Sequence, residues 1–198
     1  MPTAPSLPAA IRYAWRPYPH GATAEPLARA WLAGEFGCNP VAVALVRDAL
    51  GRPRLGASQR RFDVSWSHSG EGLLIALGEG VEVGADLERL RPRPRALQLA
   101  RRFLAVREAD WLAAMPVDAR EAGFFRLWCA KEAVLKAHGR GLAFGLDKLA
   151  FAEHDDQLAL VDCDRALGQP GDWSLHEFVP QTGYRAALAW RDKRLATA

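Results

Sequence analysis

The residues best suited to chemistry lie at 81–88, in Val81-Glu82-Val83-Gly84-Ala85-Asp86-Leu87-Glu88. Side chains alternate faces along a β-strand. Val81, Val83, Ala85 and Leu87 then share one face, and Glu82, Gly84, Asp86 and Glu88 share the other. The strand rise sets Asp86 and Glu88 about 7 Å apart and pointing the same way. Two carboxylates so placed suit one hard cation such as Mg²⁺, which takes one or two carboxylates and leaves room for phosphate oxygens. The same D-x-E pattern also describes a solvated acidic edge strand.

A second group lies at 124–136, in Phe124-Phe125-Arg126-Leu127-Trp128-Cys129-Ala130-Lys131-Glu132-Ala133-Val134-Leu135-Lys136. At helical spacing Phe124, Leu127, Trp128 and Leu135 form one apolar stripe. Lys131 falls inside that stripe and Glu132 at its edge, whereas a surface helix keeps its charges on the opposite side. Glu132 and Lys136 are an i,i+4 pair in the favourable order. The segment reads either as a helix with an ordinary ion pair and snorkelling lysines, or as the source of a third carboxylate, with Lys131 and Lys136 turned toward phosphate. A third group, Ser65-Trp66-Ser67-His68-Ser69-Gly70, ends a predicted strand. Hydroxyls and backbone N–H groups at such a turn hold anions, and His68 adds a hydrogen bond or a charge. G-x-S-x-G is absent, which argues against a serine nucleophile. Arg47 and Gly51-Arg52-Pro53 add guanidinium groups, whose planar fork of donors matches phosphate.

These groups need a frame. Residues 25–36 read as a helix with Pro26 in its first turn. Residues 41–47, 62–66, 73–77 and 81–88 read as strands punctuated by glycine-containing turns. Residues 89–95 carry arginines at 89, 91, 93 and 95 with two prolines and read as an extended linker. Helices are predicted at 96–104, 106–115 and 118–138, the last stopped by Gly139 and Gly141. Strands return at 148–151, 158–161, 173–178 and 184–190. This order indicates an α+β chain, with an N-terminal half at 1–90 and a C-terminal half at 91–198. Residues 1–35 show no motif.

Composition narrows the classes. A chain of 198 residues can bury a core without disulfides or metal. With 49% hydrophobic and 25% charged residues it is not an intrinsically disordered chain. No apolar run approaches the roughly 18 residues of a membrane-spanning helix. The N-terminus lacks the basic start and apolar stretch of a signal peptide, so a cytoplasmic protein is expected. The formal net charge of +3 fits an anionic ligand or acidic partner as well as an ordinary surface. Without a clustered basic helix or stacking motif, nucleic-acid binding has little support. Cys38, Cys129 and Cys163 are widely spaced and read as reduced packing thiols.

Taken in order, Ser67–Ser69, Gly84–Glu88 and the W-x-x-K-E-A-x-x-K-x-x-G-x-G run from Trp128 to Gly141 resemble the 4′-phosphopantetheinyl transferase superfamily, in its longer, surfactin-synthetase-activating form. Gly51-Arg52-Pro53 stands where that family usually has Gly-Lys-Pro. Arg101-Arg102-Phe103-Leu104 through Glu108 is similar to its R-F-F…E segment. Val64-Ser65 replaces the usual Phe-Asn, and Trp66 fills the apolar slot before Ser67.

The resemblance implies two similar α+β halves with pseudo-twofold symmetry, an active site in the cleft between them, and a monomer. It implies coenzyme A as donor and a serine of an acyl- or peptidyl-carrier protein as acceptor, in a holo-[acyl-carrier-protein] synthase type of reaction that releases adenosine 3′,5′-bisphosphate. By the same resemblance Asp86, Glu88 and Glu132 hold Mg²⁺, or Mn²⁺ in its place. Arg47, Arg52, Pro53, Ser67, His68, Lys131 and Lys136 face the coenzyme, and Asp86, Glu132 and Lys136 serve catalysis. The serine proton goes to Glu132 or to water, and the sequence leaves both open. The arginines of the linker are expected to steer an acidic carrier. Two other readings use the same residues: a non-catalytic module that binds coenzyme A or a carrier protein, and a Mg²⁺-dependent pyrophosphate hydrolase with water as acceptor.

Overall fold

The computed structural model describes residues 7–193. Its elements run β1 (Ile11–Pro17), α1 (Ala24–Phe36), β2 (Leu45–Arg47), β3 (Pro53–Leu55), β4 (Phe62–Ser69), β5 (Gly72–Glu79), β6 (Val81–Arg89), α2 (Ala96–Phe103), α3 (Val106–Ala114), α4 (Arg120–His138), β7 (Leu149–His154), β8 (Gln157–Cys163), β9 (Ser174–Phe178) and β10 (Tyr184–Asp192). The α+β expectation holds. Two antiparallel sheets carry the molecule, ordered β1-β5-β4 and β6-β10-β9, with separate hairpins β2-β3 and β7-β8.

The apolar runs explain the layering. A strand buried on both faces is apolar at every position, not at every second one. In β5, Leu73, Ile75 and Leu77 pack with Ala28, Leu32 and Ala33 of α1. Leu74 and Ala76 point the other way, against Val83, Ala85 and Leu87 of β6 and Ala186 and Leu188 of β10. Ala187 and Ala189 of β10 then face Leu127, Ala130, Ala133 and Val134 of α4. The layers are therefore α1, first sheet, second sheet, α4. Each buried leucine in this stack contributes roughly 1.5–3 kcal/mol. α4 is covered on nearly all sides, with Phe124, Phe125, Leu127, Cys129, Ala130, Ala133, Val134, Leu135 and Ala137 all buried.

The sheets meet at two edge strands, β4 and β6. An unpaired edge leaves a row of N–H groups that need acceptors. Alternate residues of β4 supply them from side chains. Asp63 accepts from Val83 N at 2.9 Å, Ser65 Oγ from Ala85 N at 3.0 Å, and Ser69 Oγ from Arg89 N at 3.1 Å. The seam is thus a side-chain ladder, written in the sequence as D-x-S-x-S-x-S.

The structure adds to and adjusts the expected elements. Residues 41–47 do not form one strand. Asn39 accepts from Val41 N at 3.0 Å and caps a 3₁₀ turn over Pro40–Ala42, so the strand is only Leu45–Arg47. Asn before Pro is a turn starter, and that local chemistry outweighs the β-branched run. Residues 1–35, which carry no motif, contribute β1. Finally β6 lies before residue 90 yet pairs along its length with β10, so the expected halves 1–90 and 91–198 share one sheet.

Candidate active site

The site forms where α4 crosses β6. The crossing needs Gly84. A Cβ at that position would overlap the carbonyl oxygen of Ala133 and the amide nitrogen of Ala137. With hydrogen there instead, the α4 backbone lies directly on the strand. That sets Glu132 and Lys136, one helical turn apart, beside Asp86 and Glu88. The expected faces of β6 hold: Val81, Val83, Ala85 and Leu87 enter the core between the sheets.

Lys136 is the hub. Its Nζ lies 2.5 Å from Asp86 Oδ1, 2.9 Å from Ser67 Oγ and 3.6 Å from Glu132 Oε2. Ser67 Oγ also donates to Asp86 Oδ1 at 2.9 Å, and Ser69 Oγ donates to Glu88 Oε2 at 3.0 Å. Both serines of the Ser-His-Ser motif therefore orient the D-x-E carboxylates. Asp86 is buried, and its second oxygen, Oδ2, has no hydrogen-bond partner among the described residues.

Electrostatics follow from crowding three carboxylates in a half-dry place. Burial, then repulsion from Asp86, raises the Glu132 carboxyl to about 7, against the pull of Lys136. Burial and then Asp86 also raise Glu88. Burial works to lower the Lys136 ammonium, but Asp86 and then Glu132 outweigh it and hold the proton on. Beneath them the Cys129 thiol is pushed well up, by burial first and then by Asp86 and Glu88. It is a packing thiol, as expected.

The cation expected from sequence can be tested against these atoms. The donors are carboxylate oxygens, the hard ligands that Mg²⁺ prefers. The partnerless Asp86 Oδ2 and the mutual repulsion of Asp86, Glu88 and Glu132 both fit a cation. No group of three His, Cys, Asp or Glu side chains among the described residues converges on one metal position. The nearest positive charge is the Lys136 ammonium.

Two of the residues expected to face phosphate do not. Lys131 is fully buried, with Nζ 2.6 Å from Glu108 Oε2, 2.7 Å from the Leu146 carbonyl and in contact with the Leu149 carbonyl. It lies in the apolar stripe because it is part of the core, and Glu108 is its counterion. Glu108 in turn accepts from Phe151 N at 2.8 Å and Ala105 N at 2.9 Å. Arg52 is also buried. It pairs with Asp63, and donates to the carbonyls of Ala137 and Val83.

The remaining candidates lie on the other face of β4 or at its rim. His68 is exposed and stacks on Tyr18, with ring centroids 4.7 Å apart. Arg47 is exposed, pairs with Glu25 at 3.0 Å, donates to the Gly51 carbonyl and lies over the Trp66 ring at 5.1 Å. Pro53 begins β3 opposite Arg47. Trp128 is half-buried against Phe124, with centroids 5.5 Å apart. Sequence reasoning read Ser69 as part of an anion-holding turn and not as a partner of Glu88, and it passed over Asp63 and Tyr18. The alternation of polar residues at 63, 65, 67 and 69 was the signal for the first two; Tyr18 had none.

Known proteins share this arrangement of segments. A family model described as the 4′-phosphopantetheinyl transferase superfamily matches residues 82–189, more than half of the chain and the whole of β6 and α4 apart from Val81. The Synechocystis sp. protein slr0495 is 35% identical over 171 residues, which cover 82% of this chain and 68% of that protein. HetI of Nostoc sp., named a 4′-phosphopantetheinyl transferase, is 35% identical over 164 residues, covering 81% of this chain and 66% of HetI. Sfp of Bacillus subtilis, which bears the same name, is 33% identical over 90 residues, covering 46% of this chain and 39% of Sfp. The chain spans about two thirds of the length of the first two relatives. A glycine that admits α4 onto a D-x-E strand, a helix that brings Glu132 and Lys136 to it, and a match across that same segment place the chain in one group: it belongs to the 4′-phosphopantetheinyl transferase superfamily.

Proposed function

We propose that this chain moves the 4′-phosphopantetheine arm of coenzyme A to a serine of an acyl- or peptidyl-carrier protein, releases adenosine 3′,5′-bisphosphate and depends on Mg²⁺. The observation that carries the reading is the gathering of Asp86, Glu88, Glu132 and Lys136 at the crossing of α4 over β6. Phosphoryl transfer asks a protein for positioning and charge stabilisation more than for covalent chemistry. Asp86, Glu88 and Glu132 would hold the Mg²⁺, which when bound neutralises charge on the pyrophosphate oxygens.

The protein's own groups account for the rest. The carrier serine oxygen forms a bond to the phosphorus that bears the pantetheine arm, and the bond from that phosphorus to the bridging oxygen breaks. The electron pair leaves on adenosine 3′,5′-bisphosphate, where the Lys136 ammonium offsets the new charge. The serine proton passes to Glu132 or to water; a Glu132 carboxylate that holds the cation binds a proton less tightly than the free one, which favours water in the loaded site. His68 and Arg47, both exposed, are available to the nucleotide phosphates. Ser67 and Ser69 hold the carboxylates in place. Arg52 and Lys131 take no part in phosphate binding. The exposed arginines Arg91 and Arg95 leave a basic surface for an acidic carrier. The reading includes two similar halves, with a three-stranded sheet on each side of the β4–β6 seam, and a functional monomer.

The test is intact mass of a purified apo-carrier protein after incubation with the enzyme, coenzyme A and Mg²⁺. A gain of one phosphopantetheinyl group is expected, lost with EDTA and lost with Glu132→Gln. Near-wild-type turnover by Glu132→Gln would remove both of its assigned roles. Release of adenosine bisphosphate without carrier modification would favour a hydrolase.

A further inference from the structure

Arg52 reaches three elements at once. It leaves the β2–β3 hairpin and pairs with Asp63 of β4. It donates to the Val83 carbonyl of β6 at 3.1 Å, and to the Ala137 carbonyl in the last turn of α4. Asp63 completes the knot by accepting from Val83 N at 2.9 Å and pairing with Arg54 at 3.5 Å. Both members of the central pair are almost fully covered, with side-chain exposures of 6% and 2%.

The location has a physical reason. The last carbonyls of a helix lack intrahelical donors and carry the negative end of its dipole. α4 ends at Gly139 in the left-handed region (φ +88), and a Cβ there would lie 3.4 Å from the Arg52 side chain. The guanidinium sits against the end of the helix, where a cation is favoured. A lysine ammonium is a point donor on a flexible stem, whereas the arginine fork spans separate acceptors in fixed geometry. A buried charge pair that loses one partner is costly, so the site holds its occupant firmly.

We infer that Arg52, with Asp63, is a positioning residue that fixes the C-terminal end of α4 against β6 and β4, and that it does not grip the nucleotide of the donor. Glu132 and Lys136 lie in the last two turns of that helix, so the clamp sets where they stand relative to Asp86 and Glu88. A displacement of about 1 Å in such a constellation costs on the order of a hundredfold in rate. The turnover part of this inference rests on the transferase reading; the structural part does not.

The experiment compares wild type, Arg52→Lys and Asp63→Asn by three measurements. Hydrogen exchange reads the last turn of α4. Calorimetry reads affinity for coenzyme A against 3′-dephospho-coenzyme A. Steady-state assay reads kcat on a carrier protein. The clamp predicts that both variants exchange the α4 end about tenfold faster or more, a local opening. It predicts that kcat falls about ten- to a hundredfold, while the preference for coenzyme A over its dephospho form stays as in wild type. Wild-type exchange or wild-type kcat in both variants overturns it. So does loss of the coenzyme A preference in Arg52→Lys, which would mark a phosphate ligand. Loss of the whole fold in Arg52→Lys, where the charge beside Asp63 is kept, also overturns a local role. If wild-type protein transfers nothing, the transferase reading fails, and exchange and calorimetry decide the clamp alone.

Discussion

Lys131 shows how a single side chain was legible in position and not in role. Its place within the apolar stripe marked it as unusual, and that much was correct. Helical periodicity gives the face of a residue but not what lies across from it. The partner, Glu108, comes from α3, and only the packed structure brings it within 2.6 Å. A buried pair tolerates removal of both charges better than removal of one. Lys131→Ala leaves Glu108 charged in the core and is expected to cost about 3–5 kcal/mol. Lys131→Met with Glu108→Gln removes both charges and keeps an acceptor for Phe151 N, so much of that loss should return. Urea midpoints of the two variants measure this. Equal midpoints would show that the lysine charge is not what Glu108 needs. Arg52 repeats the lesson: its charge suggested phosphate, but Asp63 and the end of α4 claim it first.

At the scale of elements the sequence was more informative. The strand faces at 81–88, the long helix and its glycine stop follow from periodicity and hold in the structure. The extent of β4 did not follow, because the strand was expected to end at residue 66 and the serines at 67 and 69 read as a turn. They are strand residues whose hydroxyls bridge to β6 in place of a backbone ladder. Nor could spacing alone show how closely β6 and α4 approach. Gly84 sets that distance, and the prediction belongs to the pair of elements. Gly84→Ala keeps every reactive side chain yet pushes α4 away from β6. Overpacking typically costs about 1–3 kcal/mol, and contact with backbone leaves little room to relax. Melting temperature should fall and transfer should drop more than tenfold, since Glu132 and Lys136 move with the helix. An alanine variant with wild-type melting and turnover would mean that the crossing is looser than described.

For the whole molecule, the carboxylate cluster couples stability to pH. The folded Glu132 carboxyl titrates at about 7, above its ordinary value of 4.5. The folded state therefore binds the proton more tightly than the unfolded chain does. That contribution is present below the unfolded value and is lost as pH rises through the folded one. Glu88 and Asp63 are raised too, so they act in the same direction. Lys136 is raised as well, but its loss belongs to alkaline pH, above this window. Without divalent cations, stability is expected to fall between about pH 5 and pH 8 by on the order of 2–3 kcal/mol from Glu132. Glu132→Gln should flatten that slope, and Mg²⁺ should restore stability at the upper end if the carboxylates hold it. Thermal melts in EDTA across this range measure the effect; a flat profile for wild type would show that the cluster is already neutralised, with Lys136 the nearest group to do it.

The pairing of β6 with β10 has a consequence for how the protein is made. Residues that hydrogen-bond across those strands, from Tyr184 with Arg89 to Asp192 with Val81, are separated by about 100 positions in the chain. On a ribosome the first sheet and the D-x-E strand emerge early, and β6 must wait with one side open until β10 follows. Through that interval the nascent chain carries an exposed edge, the kind of feature that invites wrong pairing and chaperone attention. Asp86 and Glu88 are thus synthesised well before the strand that pairs with theirs.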